Sequence, residues 1–300
     1  MSSQEPGASG NVFYALSIAS TRHGAHNGRV IARMLGVLLT VFLVVGGAPQ
    51  ERSTDGAIVR GPTAAKRIAL IFTGHEYAEG ADAILAALDR RAARASFFLT
   101  GDFLRRPGFA PIVRRMAARG HYVGPHSDKH LLYCEWQPPK RTLLSREAYR
   151  KDIEDNLREL QRFGIARPRF FLPAYEWLNA EVAAWTVELG LTPVNFTPGT
   201  RANADYTENT APNFVSSDRI VESILEREQR DPHGLNGFLL LMHVGAGTKR
   251  TDKLHDRLDG LLGTLQARGY KFVRIDDLLA AIERRPYTAS IVDGGFVAML

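Results

Sequence analysis

Residues 66–72 read KRIALIF and residues 95–101 read ASFFLTG, two apolar runs separated by a helical pattern over 81–92. Neither run alternates polar with apolar as a strand with one wet face would, so both are expected to be covered on both faces. Five more such stretches follow, at Tyr122–Gly124, Arg169–Phe171, Thr192–Val194, Gly237–Met242 and Phe272–Ile275. Helical patterns lie near 109–118, 145–163, 178–189, 216–230, 254–268 and 276–284. Ser145, Asn179 and Ser216 or Ser217 stand at helix starts, where a short polar side chain accepts from a free amide of the first turn. Glycines at 120, 164, 190 and 269 stand at helix exits, where a left-handed residue costs little. Strand–helix alternation repeated seven times predicts an α/β fold, with parallel strands in a closed or nearly closed barrel over residues 66–284.

Outside that block the pattern changes. Arg29 and Arg33 precede an apolar run from Met34 to Ala48, too short for a spanning helix and ending in Gly46, Gly47 and Ala48. Residues 1–48 are therefore expected to be a leader carrying a signal peptide or an anchor. The protein would then be exported: periplasmic, extracellular or attached to a membrane through 34–48. Residues 49–65, with Gly, Pro, Ser and Thr, read as a linker, and 285–300 as a tail.

Composition narrows the chemistry. A chain of 300 residues that is 45% hydrophobic and 23% charged is not disordered as a whole. A single cysteine, Cys134, excludes an internal disulfide, so a metal would have to be held by histidine and carboxylate. The net charge of +6 is scattered among acidic residues, so no nucleic-acid partner is expected.

In a parallel barrel the loops after the strands converge on one face. Here they carry Thr73-Gly74-His75-Glu76 after the first strand, His126-Ser-Asp-Lys-His130 after the third, Tyr175-Glu176-Trp177 after the fourth and His243 after the sixth. If helical, His126 and His130 share one face, a spacing at which two imidazoles hold one divalent metal. Trp177 offers a flat aromatic face at a strand end, and Leu131–Ser145 is long enough to form a cleft wall. Asn203 and Asp205 are placed either to orient His243 or, in the case of Asp205, to contact substrate. His121, His233 and His255 read as structural or surface residues.

KRIALIF, ASFFLTG, HSDKH, Pro173-Ala-Tyr175, LMH at 241–243 and GYKFVRIDDLL at 269–279 resemble, in order and spacing, the polysaccharide deacetylases, carbohydrate esterase family four. The resemblance covers about residues 66–284 and implies a distorted (β/α)7 barrel. It further implies a hydrolase that uses a divalent metal, with zinc expected, to remove acetyl groups from acetylated carbohydrate. Carried over position by position, it makes His126 and His130 metal ligands, the Tyr175 amide an oxyanion donor and His243 the general acid.

The chain departs from the family at Thr73 and Gly74, where two aspartates, a base and a metal ligand, are usual. A threonine hydroxyl is no base near neutral pH and glycine has no side chain. Glu76 is favoured as third ligand, with His75 as its rival. Glu176, one residue beyond the tyrosine, is expected to replace the missing base or to anchor substrate. Two other functions stay open: hydrolysis of a non-sugar C–N bond on the same barrel, and a degenerate barrel that binds glycan without cleaving it.

Overall fold

A computed structural model describes residues 50–280. The leader, the run 34–48, residues 281–284 of the last expected helix and the tail lie outside the described residues. Within them the elements are β1 (Glu51–Arg52), β2 (Ile58–Arg60), β3 (Arg67–Gly74), α1 (Ala81–Arg90), β4 (Ser96–Leu99), α2 (Gly101–Arg105), α3 (Ala110–Ala118) and β5 (Tyr122–Pro125). They continue with α4 (Arg146–Gln161), β6 (Phe170–Phe171), α5 (Ala180–Glu188), β7 (Thr192–Pro193), α6 (Ser217–Arg230), β8 (Leu239–His243), α7 (His255–Ala267), β9 (Lys271–Val273) and α8 (Ile275–Leu279). All seven expected strands are present as β3 to β9. Their ends shift by one or two residues, and Ile275, expected in the last strand, opens α8, where its amide donates to Ser96 Oγ at 2.8 Å.

The sheet is a curled half-barrel, ordered β5-β4-β3-β8 with β9 against the start of β3, while β6 and β7 pair separately. Every one of these pairings is parallel. The architecture is the expected distorted (β/α) barrel. Residues 58–60, expected as linker, instead help to fill the gap between β7 and β8. Ile58 bridges Val194 and Arg60 bridges Phe238, and the Ile58 carbonyl accepts from the Asn195 amide at 2.8 Å. Ala57, Ile58 and Arg60 are buried, and Arg60 pairs with Asp231 at 2.9 Å. The polar composition of 49–65 hid this because, of its described residues, only Ala57, Ile58, Arg60 and Gly61 are buried.

Side chains alternate along β3. Ile68, Leu70 and Phe72 pack outward against the helices, while Ala69 and Ile71 join Phe98, Phe170, Leu239 and Leu241 inside the barrel. Thr73 and Gly74 follow the same alternation, inward and outward in turn. The helix starts form as their caps require. Ser145 Oγ accepts from the Ala148 amide at 3.2 Å, Asn179 Oδ1 from Val182 at 2.9 Å and Ser216 Oγ from Arg219 at 3.2 Å. Each such cap contributes about 1 kcal/mol.

Candidate active site

One cavity of about 710 Å³ lies where the strands end. His75, Glu76, His126, His130, Tyr175, Glu176, Trp177 and His243, carried by four separate strand ends, all line it. The loop expectation is thus realised in space, but the local geometry is not the expected one. HSDKH is no helix: Ser127 and His130 are left-handed, at φ 74° and 54°. The two rings still meet, with centroids 5.2 Å apart and planes at 64°.

The loop is held from behind by α4, a contribution that the sequence reading missed. The Asp152 carboxylate accepts from Ser127 Oγ at 2.8 Å, Tyr133 Oη at 2.8 Å and the Asp128 and Lys129 amides at 3.2 and 3.1 Å. One turn on, Asn156 Oδ1 accepts from the His126 amide at 2.9 Å. A signal was available, because Asp152 and Asn156 interrupt the buried stripe Tyr149, Ile153, Leu160 of α4. A polar residue on an apolar helix face must be satisfied by something packed against it. Arg105 adds a two-pronged grip on Asp128, at 2.6 and 3.0 Å.

His126 is buried, and its Nδ1 lies 2.8 Å from the Leu172 carbonyl, to which only a ring N–H can donate. Nε2 therefore keeps its lone pair when the ring is neutral. Burial, with His130 beside it, holds His126 well below the ordinary imidazole value. Burial also takes His130 down to about 3, with His75 and His243 adding to the effect. His75 stacks on His130 at 4.4 Å with planes 9° apart, and burial lowers its pKa despite the opposing charge of Glu76. Glu76 itself is exposed at the rim, its carbonyl taking Arg106 Nη1 at 2.6 Å. The expected set of two histidines and Glu76 is not assembled. Among the described residues no three His, Cys, Asp or Glu side chains are gathered as a ligand set. The chain bends after Gly74 so that the ring of His75 turns to His130 and the carboxylate of Glu76 to solvent. By donor chemistry these neutral imidazoles fit a divalent cation, since ligation uses a nitrogen lone pair.

Across the cavity the logic reverses. Asp205 binds the Nδ1 of His243 at 2.6 Å and the His243 amide at 2.9 Å. Burial alone would lower His243, yet the Asp205 carboxylate, by charge and hydrogen bond, with Glu176 beyond it, raises its pKa above the ordinary value. Glu176 is pushed up to about 7 by burial, with Asp205 adding and His243 opposing. Asp205 is 6% exposed, and both its oxygens are engaged by the ring and amide of His243. Asn203 lines the cavity.

The loop bearing Asp205 is tied down by Arg250, also missed from sequence. Its side chain is fully buried and donates to the carbonyls of Ala204, Thr207, Val215 and Asp252 at 2.7 to 3.3 Å. The single arginine in a Gly-, Thr- and Lys-rich stretch gave no periodic cue.

Tyr175 and Glu176 are both left-handed, at φ 60° and 53°. This turn places the Tyr175 ring against His130, with centroids 4.3 Å apart, while Asn195 holds the Glu176 carbonyl at 2.6 Å. Trp177 lines the wall but is less free than expected: its Nε1 donates to Glu135 at 3.0 Å and Lys140 Nζ sits 3.8 Å over its ring. The open aromatic faces belong to Tyr77, Trp136, Tyr175 and Tyr206, each 44 to 50% exposed around the mouth. The 131–145 loop supplies Trp136 and Lys140 to the wall, as expected, and the β1–β2 turn supplies Asp55, which pairs with Lys140 at 2.7 Å. His121 lies outside the cavity, accepting from the Ala95 amide at 3.2 Å.

Residues 60–194 match the family model for polysaccharide deacetylase. A peptidoglycan-N-acetylglucosamine deacetylase of Bacillus cereus is 25% identical over 225 residues, covering 75% of this chain and 72% of that protein. A crystal structure of a peptidoglycan N-acetylglucosamine deacetylase is similar with a TM-score of 0.61 at 24% identity, over 74% of this chain and 92% of that one. A family-four pseudoenzyme from Bacillus anthracis is similar with a TM-score of 0.59 at 18% identity, over 75% of this chain and 69% of that one. Both structures share the fold.

Proposed function

The chain belongs to the polysaccharide deacetylase family, and on that premise we propose that it removes acetyl groups from an acetylated glycan of peptidoglycan type. The observation that carries this reading is the pairing of opposites in one cavity. Imidazoles of lowered pKa stand on one wall, and a carboxylate near 7 stands beside a histidine whose proton affinity is raised on the other. Amide hydrolysis needs a base to take a proton from water and an acid to give one to the departing nitrogen. Glu176 is the base in this reading and His243, oriented by Asp205, is the acid. The Tyr175 amide is assigned to the developing oxyanion, a role worth about 10²–10³ in rate where it operates. His126 and His130, with His75 in place of Glu76 as the third donor, would hold a divalent metal, zinc by family. When bound, that ion supplies Lewis acidity toward the acyl group and its water. The aromatic rim gives successive sugar rings flat faces to lie on. Export, or anchoring through 34–48, suits a substrate outside the cell.

Acetate release from N-acetylated chito-oligosaccharide and from peptidoglycan tests the reading. Turnover by the zinc-loaded wild type, abolished by a chelator and restored by zinc, is the expected result. Binding of the glycan with no acetate released would overturn it in favour of a glycan-binding barrel. One observation favours that second reading: a Cβ at Gly74 would lie 2.8 Å from Leu99 and 3.0 Å from Phe103, so the family's second aspartate has no space here.

A further inference from the structure

Thr73 stands where the family's base is usual, and nothing above assigns it a part. The β3 alternation turns its side chain inward, above Ile71, and the parallel register pairs it with His243 on β8. In a parallel ladder, paired residues project from the same face, so the Thr73 and His243 side chains stand side by side at the cavity lining. Glu176 lines the same cavity, near enough to His243 for the charge of each to act on the other.

The hydroxyl itself is anomalous. Thr73 is 3% exposed, and its Oγ1 is sequestered without a hydrogen-bond partner among the described residues. A buried hydroxyl left unsatisfied is unfavourable, and valine would fill the same volume without that penalty. Neighbouring interior positions on β3 and β8 are apolar, at Ala69, Ile71, Leu239 and Leu241. A lone polar atom at the top of an apolar stack, on a residue that lines the cavity with an acid and a base, is placed to meet a small polar guest.

We propose that the Thr73 hydroxyl is a catalytic contact that holds the attacking water against Glu176. The inference rests on the deacetylase reading above. One water hydrogen is accepted by Thr73 Oγ1 and the other is taken by Glu176 as the water oxygen bonds to the acyl carbon. The bond from that carbon to the sugar nitrogen then breaks, its electron pair stays on nitrogen, and His243 supplies the proton. Acetic acid and a free amine leave, exchanging a proton in water to become acetate and ammonium, and the proton on Glu176 returns to His243 through solvent. Threonine does not replace the aspartate as a base. It keeps the hydrogen-bonding half of that role, while Glu176 takes the proton-accepting half.

The test compares wild type, Thr73→Val and Thr73→Ser in the full chain, by thermal unfolding and by kcat and KM for acetate release from N-acetylated chito-oligosaccharide. The inference expects kcat of Thr73→Val to fall at least about tenfold, with KM within about twofold and Tm equal or higher, because the orphan is gone. Thr73→Ser should keep most of kcat. A structural threonine gives the opposite pattern, with Tm lowered by valine and kcat unchanged. Wild-type kcat in Thr73→Val overturns the inference and leaves the deacetylase reading standing. Equal losses in valine and serine also overturn it, since the methyl rather than the hydroxyl would then matter. No acetate release by wild type sinks the functional reading itself, and this inference with it.

Discussion

Two walls of one cavity treat the same side chain in opposite ways. His126 is buried and His243 largely so, yet burial drives the first well below the ordinary imidazole pKa while the second is raised above it. The difference is one carboxylate. Asp205 lies 2.6 Å from the His243 ring, whereas His126 meets the Leu172 carbonyl and the ring of His130. A dipole and like neighbours leave a lone pair; a full negative charge retains a proton. The first wall is therefore suited to ligate and the second to donate.

That contrast is most directly broken at its two ends. His243→Asn should lower turnover by about 10²–10⁴ with bound zinc unchanged, whereas His126→Ala should lose both, as read by metal analysis beside acetate release. Equal metal loss in the two variants would erase the distinction between the walls. Glu176→Gln should cost about 10²–10³ in kcat and remove the acid limb of the pH profile. A base acts when ionised, so wild-type activity should rise with pH through about 7, where burial has placed Glu176. It should fall at higher pH as His243 loses its proton.

Asp205→Asn sharpens the comparison by making one wall resemble the other. Without the charge, burial governs His243, its pKa drops, and the alkaline limb should move to lower pH, with a loss of about 10–100-fold at pH 8 and less at pH 6. An alkaline limb that stays in place would show that Asp205 does not set the proton affinity. On the other wall, Asp152→Asn weakens the support of the HSDKH loop and should reduce zinc affinity by about 10–100-fold, measured by competition with a chromophoric chelator. Unchanged affinity would leave Asp152 a purely structural residue. Trp177→Ala should produce the smallest effect, a few-fold rise in KM at constant kcat, because Lys140 already covers one face of the ring.

Much of this architecture is written locally. The seven strands, the caps at Ser145, Asn179 and Ser216 and the gathering of His75, His126, His130, Glu176 and His243 at strand ends follow from periodicities of 2 and 3.6 and from single-turn hydrogen bonds. Those signals need only a few neighbouring residues to be legible. The β1–β2 turn is not legible because four buried residues in a polar stretch make no period, and HxxxH spacing joins the two rings only if the segment is helical, whereas left-handed Ser127 and His130 bring them together by another route.

The sequence by itself determined which side chains reach the cavity, because strand direction and βα order send them there. Only the tertiary structure decided what each became. Asp205 meets His243 across 38 positions, Asp152 meets Ser127 across 25, and Thr73 meets His243 through strand register. Proton affinity and hydrogen-bond satisfaction depend on distances of a few ångströms between groups far apart along the chain, and folding alone sets those distances.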